Sequence, residues 1–317
     1  MPDTGDKLLE IRGLSKSFPG VKALDSVNFT LRRGEIHALM GENGAGKSTL
    51  IKVLTGVHSK NSGSVKLEGK NFEAASPMDA ARKGISTVYQ EINLLPNLSV
   101  AENIFIGRQP MKRGSIDWKA INRRAGKALA KLDLDLDVTR PLSSFSTAIQ
   151  QMVAIARALD IKAKILILDE PTSSLDLTEC KNLFATMQKL KEDGISIIFI
   201  THFLDQVYET SDRISVLRNG KFIGEYKTAE LPLLQLISRM LGKELEQEME
   251  SSGKKPPDTL SQKEPFMTLN NVEEKGVLFP FNLKMFDGEV LGLAGLLGSG
   301  RTEMAKLLFG IDKPTGE

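Results

Sequence analysis

One short run restricts the fold of this 317-residue chain more than any other feature. Gly41-Glu42-Asn43-Gly44-Ala45-Gly46-Lys47-Ser48-Thr49 consists of a glycine, four residues and then Gly-Lys-Ser, placed directly after the apolar run Ile36-His37-Ala38-Leu39-Met40. The spacing predicts a strand, a tight turn and a helix. Successive backbone N–H groups can line a concave turn only where glycines permit it, and the positive end of the following helix adds to the field. Such a turn cradles a phosphate chain, with Lys47 reaching the terminal phosphates and the Ser48 hydroxyl ligating magnesium (Mg2+). The alternative is an ordinary glycine turn.

Two further strand ends carry candidate chemistry. Ile165-Leu166-Ile167-Leu168-Asp169-Glu170 is an apolar run that ends in two carboxylates, at the edge where open α/β sheets bind their ligands. Asp169 is placed to hold the magnesium shell and Glu170 to polarise an attacking water as general base; a strand running into an acidic turn is the plain alternative. His202 follows the apolar run at 195–200, where it could contact a terminal phosphate or simply cap a strand. Runs at 36–40, 85–88, 165–168 and 195–200 are apolar nearly throughout, as strands buried on both faces of a parallel sheet are. Helical patterns at 47–56 and 178–193 flank them. Asn219-Gly220 signals a hairpin and hence an antiparallel piece. The mainly helical pattern of about 91–160 reads as an insertion. The fold class is therefore α/β, a mainly parallel core sheet with an antiparallel β subdomain and a helical insertion.

The chain also repeats itself. Gly34-Glu35-Ile36-His37-Ala38-Leu39-Met40-Gly41 recurs as Gly288-Glu289-Val290-Leu291-Gly292-Leu293-Ala294-Gly295, and the same offset relates Gly44 to Gly298, Gly46 to Gly300, Leu54 to Leu308 and Gly56 to Gly310. We read residues 1–244 as a first domain, 245–265 as a solvated Glu-, Lys-, Ser- and Pro-rich linker, and 266–317 as the N-terminal part of a second copy. About 50 residues of a roughly 240-residue unit cannot close the same core alone, so the chain is expected to be a fragment. Hydrophobic residues at 41% and charged residues at 26% fit a folded, water-soluble protein. Lys+Arg 42 against Asp+Glu 40 is too balanced for the electropositive surface that binds nucleic acid, and no nucleic-acid partner is expected. The single cysteine, Cys180, excludes an internal disulfide, fits a reducing compartment and reads as a buried helix thiol. The first ten residues lack the pattern of a secretory signal. The longest apolar runs fall far short of the ~20 residues that span a bilayer, so a membrane role would need a partner.

Phe18, the run at 41–49, Tyr89-Gln90-Glu91, Phe145-Ser146-Thr147-Ala148-Ile149-Gln150, Leu168-Asp169-Glu170-Pro171-Thr172, Ser174-Leu175-Asp176 and Thr201-His202 occur in the order of an ATP-binding-cassette (ABC) ATPase, which the chain resembles over essentially its whole length. Two fused cassettes and the second loop, Gly295-Leu296-Leu297-Gly298-Ser299-Gly300-Arg301-Thr302, resemble the ATPase subunits of bacterial ribose, xylose and galactose importers. Thr201-His202-Phe203-Leu204-Asp205-Gln206-Val207 looks most like the galactofuranose importers among them.

The resemblance implies ATP and Mg2+ as cofactors, with Gly41, Asn43, Gly44, Ala45, Gly46, Lys47, Ser48 and Thr49 around the nucleotide. It implies that Phe18 stacks on adenine, an ordinary core aromatic being the alternative, and that Gln90 bridges the magnesium site to the helical insertion. Asp176 would sit at the contact between cassettes. The family's Leu-Ser-Gly-Gly-Gln signature is here Phe145-Ser146-Thr147-Ala148-Ile149, followed by Gln150, and only the serine survives. Side chains at Thr147 and Ala148 stand where a γ-phosphate should approach bare backbone. Arg301 replaces the loop lysine in the second copy, and its planar fork does not reproduce a compact ammonium. Both departures fall on one composite pocket, leaving the pocket of Lys47, Glu170 and His202 competent.

Implied partners are transmembrane permease subunits, indirectly a periplasmic sugar-binding protein, and the missing half of the second cassette. The implied location is peripheral, on the cytoplasmic face of the inner membrane, and the implied role is to couple ATP hydrolysis to monosaccharide import (galactofuranose, ribose or galactose type). The rivals are a soluble two-cassette ATPase acting on ribosomes or DNA and a nucleotide-binding fragment without turnover. Lys47→Ala is expected to weaken Mg-ATP binding strongly in calorimetry; equal affinity in wild type and variant would rule the loop out.

Overall fold

The first elements in the computed structural model are two 12-residue strands, β1 (Lys7–Phe18) and β2 (Val21–Arg32). They are followed by β3 (Ile36–Met40), α1 (Lys47–Leu54), β4 (Ser62–Leu67), β5 (Lys70–Asn71), α2 (Pro77–Arg82) and β6 (Ile85–Val88). Next come α3 (Val100–Phe105), a hairpin of β7 (Met111–Lys112) and β8 (Ser115–Ile116), α4 (Trp118–Ala130) and α5 (Thr147–Asp160). Then β9 (Ile165–Asp169), α6 (Leu177–Glu192), β10 (Ser196–Ile200), α7 (Leu204–Thr210), β11 (Arg213–Arg218), β12 (Lys221–Lys227) and α8 (Leu233–Leu241) complete a first unit within residues 1–244. The structure describes residues 6–89, 94–242, 264–274, 278–294 and 299–313. Those from 264 onward belong to a second unit.

A six-stranded sheet in the order β12-β11-β3-β10-β9-β6 forms the centre of the first unit. β3, β6, β9, β10 and β11 run parallel, and only β12 is antiparallel to its neighbour. Alternation explains why β9 and β10 read as nearly unbroken apolar runs. Successive side chains on a strand point to opposite faces. Leu166, Leu168, Ile197 and Phe199 therefore enter the core shared with α3, α4, α5 and α6. Ile165, Ile167, Ile198 and Ile200 enter the core shared with β1, β2 and α1. Neither face meets water, so neither can carry the polar half of an alternating pattern.

A separate four-stranded antiparallel sheet, ordered β2-β1-β4-β5, covers that second face. The turn at Asn219-Gly220 does make the expected hairpin, but its strands β11 and β12 extend the central sheet; the antiparallel subdomain is built from the N-terminal strands. Residues 99–159 form the helical insertion, interrupted by the small β7–β8 hairpin, which the helical pattern did not indicate. Its helices start on side-chain caps. Ser99 and Glu102 form a reciprocal capping box on α3, while Asp117 caps α4 and Ser146 caps α5. Asp160, at the end of α5, accepts from Arg108 at 2.9 Å and from Arg124 at 3.2 Å, tying α4 and α5 to the end of α3.

The second unit begins with an antiparallel pair, β13 (Met267–Glu274) and β14 (Leu278–Met285), and continues to α9 (Arg301–Leu308). Its order parallels β1, β2 and α1. The expected counterpart of β3 is not a strand: residues 289–294 carry no ladder, and Val290, Leu291 and Leu293 are exposed. In the first unit β3 is held between β10 and β11, and a parallel strand without such neighbours leaves its backbone groups unpaired. Most of the proposed linker, residues 245–263, lies outside the described residues. Cys180 is buried on α6. Phe199 is fully buried where the central sheet meets the helical insertion. Phe199→Ala is expected to destabilise the first unit by about 3–5 kcal/mol, visible as a lower urea midpoint at unchanged slope.

Candidate functional site

The residues at 41–49 emerge from the carboxyl end of β3 as a turn that opens α1. Leu50, Ile51, Val53 and Leu54 of α1 are buried and anchor it against the sheet. The turn is wedged against backbone on both flanks. Gly46 caps α1 with φ +104°, a left-handed conformation, and a Cβ there would stand 2.7 Å from the Ala23 carbonyl oxygen. Only glycine fits. On the other flank Gly220 donates its N–H to the Ala45 carbonyl at 3.1 Å, and its own carbonyl accepts from the Asp25 N–H at 2.8 Å. Lys47 donates from Nζ to the carbonyls of Gly41 (2.6 Å) and Glu42 (3.0 Å), folding its ammonium back over the turn.

Strand register brings the acids to this turn. Ile200 on β10 pairs with Asp169 on β9, so the residues that follow each strand emerge side by side. Glu170 adopts φ +49°, uncommon for a residue with a Cβ. Its N–H donates to the Ile200 carbonyl at 2.9 Å and its carbonyl accepts from the Ser173 N–H at 3.3 Å. One carboxylate oxygen lies 3.3 Å from Nδ1 of His202. Burial pushes the Asp169 carboxyl above its usual range and the adjacent Glu170 charge pushes it further, against the pull of Lys47 and Lys52. Burial lowers the Lys47 ammonium from its ordinary value, opposed by the charges of Glu170 and Asp169.

Residues 42–49, Asp169 and Glu170 line one cleft of about 510 Å³, together with Val21, Lys22, Ala23, Ile200, Asn219 and Gly220. Asn219 and Gly220 carried only a hairpin signal in the sequence, and Lys22 and Ala23 carried none. Their role follows from the loop packing against them. Ser48 and Asp169 offer hard oxygen donors of the kind that suit Mg2+. No cluster of three or more His, Cys, Asp or Glu that could hold a metal exists among the described residues. Ser48 and Asp169, which line one cleft, fit a cation that takes one or two of its ligands from protein oxygens.

Other expected residues lie apart from the cleft lining. Phe18, 37% exposed, meets the ring of His58 edge-on with Lys16 above it, and Val21 and Lys22 form the adjoining wall. Ser146 accepts from the Ile149 N–H at 3.4 Å as the cap of α5, with Thr147 exposed and Ala148 half-buried on its first turn; Gln150 donates to the Phe145 carbonyl at 3.0 Å. Asp176 is exposed and caps α6 in a reciprocal box with Glu179. Gln90, Gly295 and Gly298 lie outside the described residues. In the second unit Gly300 caps α9 with φ +84°, as Gly46 caps α1, and Ser299, Arg301 and Thr302 are exposed beside it.

A carboxyl whose pKa is raised on folding adds stability at acid pH that is lost as pH rises through its folded value. Asp169→Asn is therefore expected to raise the melting temperature of the nucleotide-free protein at neutral pH. The gain should shrink as pH falls through the raised Asp169 value and vanish below the ordinary aspartate range. Melting curves across pH check both the sign and the window.

The same region has known relatives. The sequence profile of the ABC transporter family matches residues 24–173. The chain is 53% identical over 310 residues to the galactofuranose transporter ATP-binding protein YtfR of Escherichia coli strain K12, covering 98% of this chain and 61% of that protein. It is 50% identical over 309 residues to the fructose import ATP-binding protein FruK of Bifidobacterium longum, covering 97% of this chain and 60% of that protein. It thus spans about three fifths of the length of these relatives. Among solved structures, the ADP conformation of MJ1267, an ATP-binding cassette of an ABC transporter, matches 74% of this chain and 97% of its own, with a TM-score of 0.67 at 28% identity. Fold, loop and kinship agree over the same residues, and residues 24–173 carry the ATP-binding cassette domain of the ABC transporter family.

Proposed function

We propose that the whole protein to which these residues belong binds and hydrolyses ATP to drive import of a monosaccharide through a membrane permease. The observation that carries this reading is the convergence of the turn at 41–49 with Asp169, Glu170 and His202 at the carboxyl edge of one sheet. Lys47 leaves the loop carbonyls for the terminal phosphates of ATP. Ser48 and Asp169 would hold Mg2+, which supplies positive charge against the phosphate oxygens. Glu170 then accepts a proton from the attacking water as general base, with His202 beside it toward the γ-phosphate. Gln90 would connect this site to the helical insertion, and Phe18 would carry the adenine beside the Val21 wall.

Thr147 and Ala148 on the first turn of α5 depart in this reading from the signature glycines, and Arg301 in the second unit departs from the loop lysine, each weakening its own element for ATP. Asp176 stands where cassettes would meet. Residues 1–244 are then a first cassette and 266–317 part of a second, degenerate one, joined through 245–265. Galactofuranose or a related monosaccharide is the proposed cargo, because the relatives named above are sugar importers. That kinship also favours the transporter over a ribosome- or DNA-acting ATPase. No helix among the described residues is long and apolar enough to cross a membrane. By kinship with the transport ATP-binding proteins, the proposed position is peripheral, at the cytoplasmic face beneath permease subunits that receive sugar from a periplasmic binding protein.

Glu170→Gln keeps size and shape while removing the base. In the assembled transporter it is expected to bind ATP normally and to hydrolyse it at least about a hundredfold more slowly. Binding by calorimetry and steady-state phosphate release separate the two effects, and a wild-type rate would sink the assignment. Co-purification of the whole protein with ribosomes in place of a polytopic membrane protein would overturn the transporter reading.

A further inference from the structure

The loops that carry Glu170 and His202 are joined by a side chain outside both of them. Gln206, on α7, accepts two hydroxyl hydrogen bonds at one oxygen: Thr172 Oγ1 donates to its Oε1 at 2.6 Å and Thr201 Oγ1 at 3.2 Å. Thr172 lies two residues beyond Glu170, and Thr201 lies one before His202. Both threonines are buried, at 3% and 2% exposure. A side-chain carbonyl has two lone pairs, and here each is taken by a different loop. Thr201 Oγ1 also accepts from the Phe203 N–H at 3.1 Å, which sets the bend at His202.

α7 is itself held in place. Val207 is fully buried, the Tyr208 hydroxyl donates to the Leu231 carbonyl at 2.7 Å, and Gln188 Nε2 on α6 donates to the Thr210 carbonyl at 3.1 Å. The two loops are thus tied at two levels. Close to the sheet, the Glu170 N–H donates to the Ile200 carbonyl. Farther out, Gln206 ties Thr172 to Thr201. The contact between the Glu170 carboxylate and His202, at 3.3 Å, adjoins both ties, since Glu170 makes the inner one and His202 directly follows Thr201 of the outer one; without the outer one the loops can separate as independent turns.

We propose that Gln206 is a positioning residue for hydrolysis: by clamping Thr172 to Thr201 it sets the separation of Glu170 from His202. The proposal rests on the reading of Glu170 as the base, and a clamp of this kind acts on turnover more than on nucleotide affinity. Misplacement of a reacting group by about 1 Å lowers rates by up to about a hundredfold, and a partial loosening is expected to lie below that.

The test is steady-state ATP hydrolysis by the whole protein assembled with its permease. Leucine fills the space of glutamine but accepts nothing, so Gln206→Leu should lower kcat about tenfold while leaving KM for Mg-ATP within about twofold. Gln206→Glu, which still accepts from both threonines, should stay within about threefold of wild type. Thr172→Val removes one donor at constant shape and should reproduce much of the loss even where Gln206→Leu folds poorly. The double variant should be no slower than the slower single one, since both break one interaction.

Wild-type rates in Gln206→Leu and Thr172→Val, in a transporter that Glu170→Gln silences, would overturn the clamp and leave the site reading standing. So would a Gln206→Glu variant as slow as Gln206→Leu, or additive losses in the double variant. A transporter that Glu170→Gln fails to silence would overturn the base assignment itself, and the clamp with it.

Discussion

Parallel pairing of β3, β10 and β9 is the constraint on which the rest of the first unit depends. The register that sets Ile197 beside Ile36 and beside Leu166 also sets Ile200 beside Asp169. Three chain segments therefore leave the sheet at one edge, carrying the glycine turn, Glu170 and His202. A slip of one residue on β9 would turn Leu166 and Leu168 out of the insertion-side core and move both acids off the cleft. Burial of alternate residues into two separate cores makes that slip expensive. The hydrophobic effect thus fixes the position of the charged groups although none of them takes part in it.

At that edge stability and site geometry oppose one another. Asp169 is held where burial and a neighbouring carboxylate disfavour its charge, Lys47 where burial disfavours its own, and Glu170 in a left-handed conformation. Each is unfavourable taken singly. They persist because the surrounding core determines the backbone path. An arrangement that is uncomfortable alone is suited to receive a ligand that brings negative phosphate charge toward Lys47 and a cation toward Asp169, as the proposed function requires. The hairpin turn at Asn219-Gly220 supports the glycine turn from below and belongs to the same machinery, although its own residues bear no charge.

The repeat separates sequence pattern from structural outcome. Gly34 to Gly41 and Gly288 to Gly295 share a pattern, yet the first contains a fully buried strand and residues 289–294 have no strand neighbours. The helix that follows forms in both, capped by Gly46 in one and Gly300 in the other. Helical hydrogen bonds are local, closing between residues four apart. A parallel strand depends on partners from distant parts of the chain, which in the first unit are β10 and β11.

That distinction also divides what was legible in the residues from what was not. The glycine turn and the helix it opens, the apolar strands, the carboxylates closing β9, the histidine after β10 and the hairpin at 219–220 were legible in the residues alone, because each is written in short-range spacing or in a local conformational requirement. Tertiary structure decided that the hairpin belongs to the central sheet and buttresses the turn through Gly220 and Ala45, and that the antiparallel sheet comes from β1, β2, β4 and β5. It also decided that Lys22 and Ala23 line the cleft, and that Gln206 joins Thr172 to Thr201. None of these had a sequence signature, since each depends on segments brought together only when both faces of the central sheet are buried.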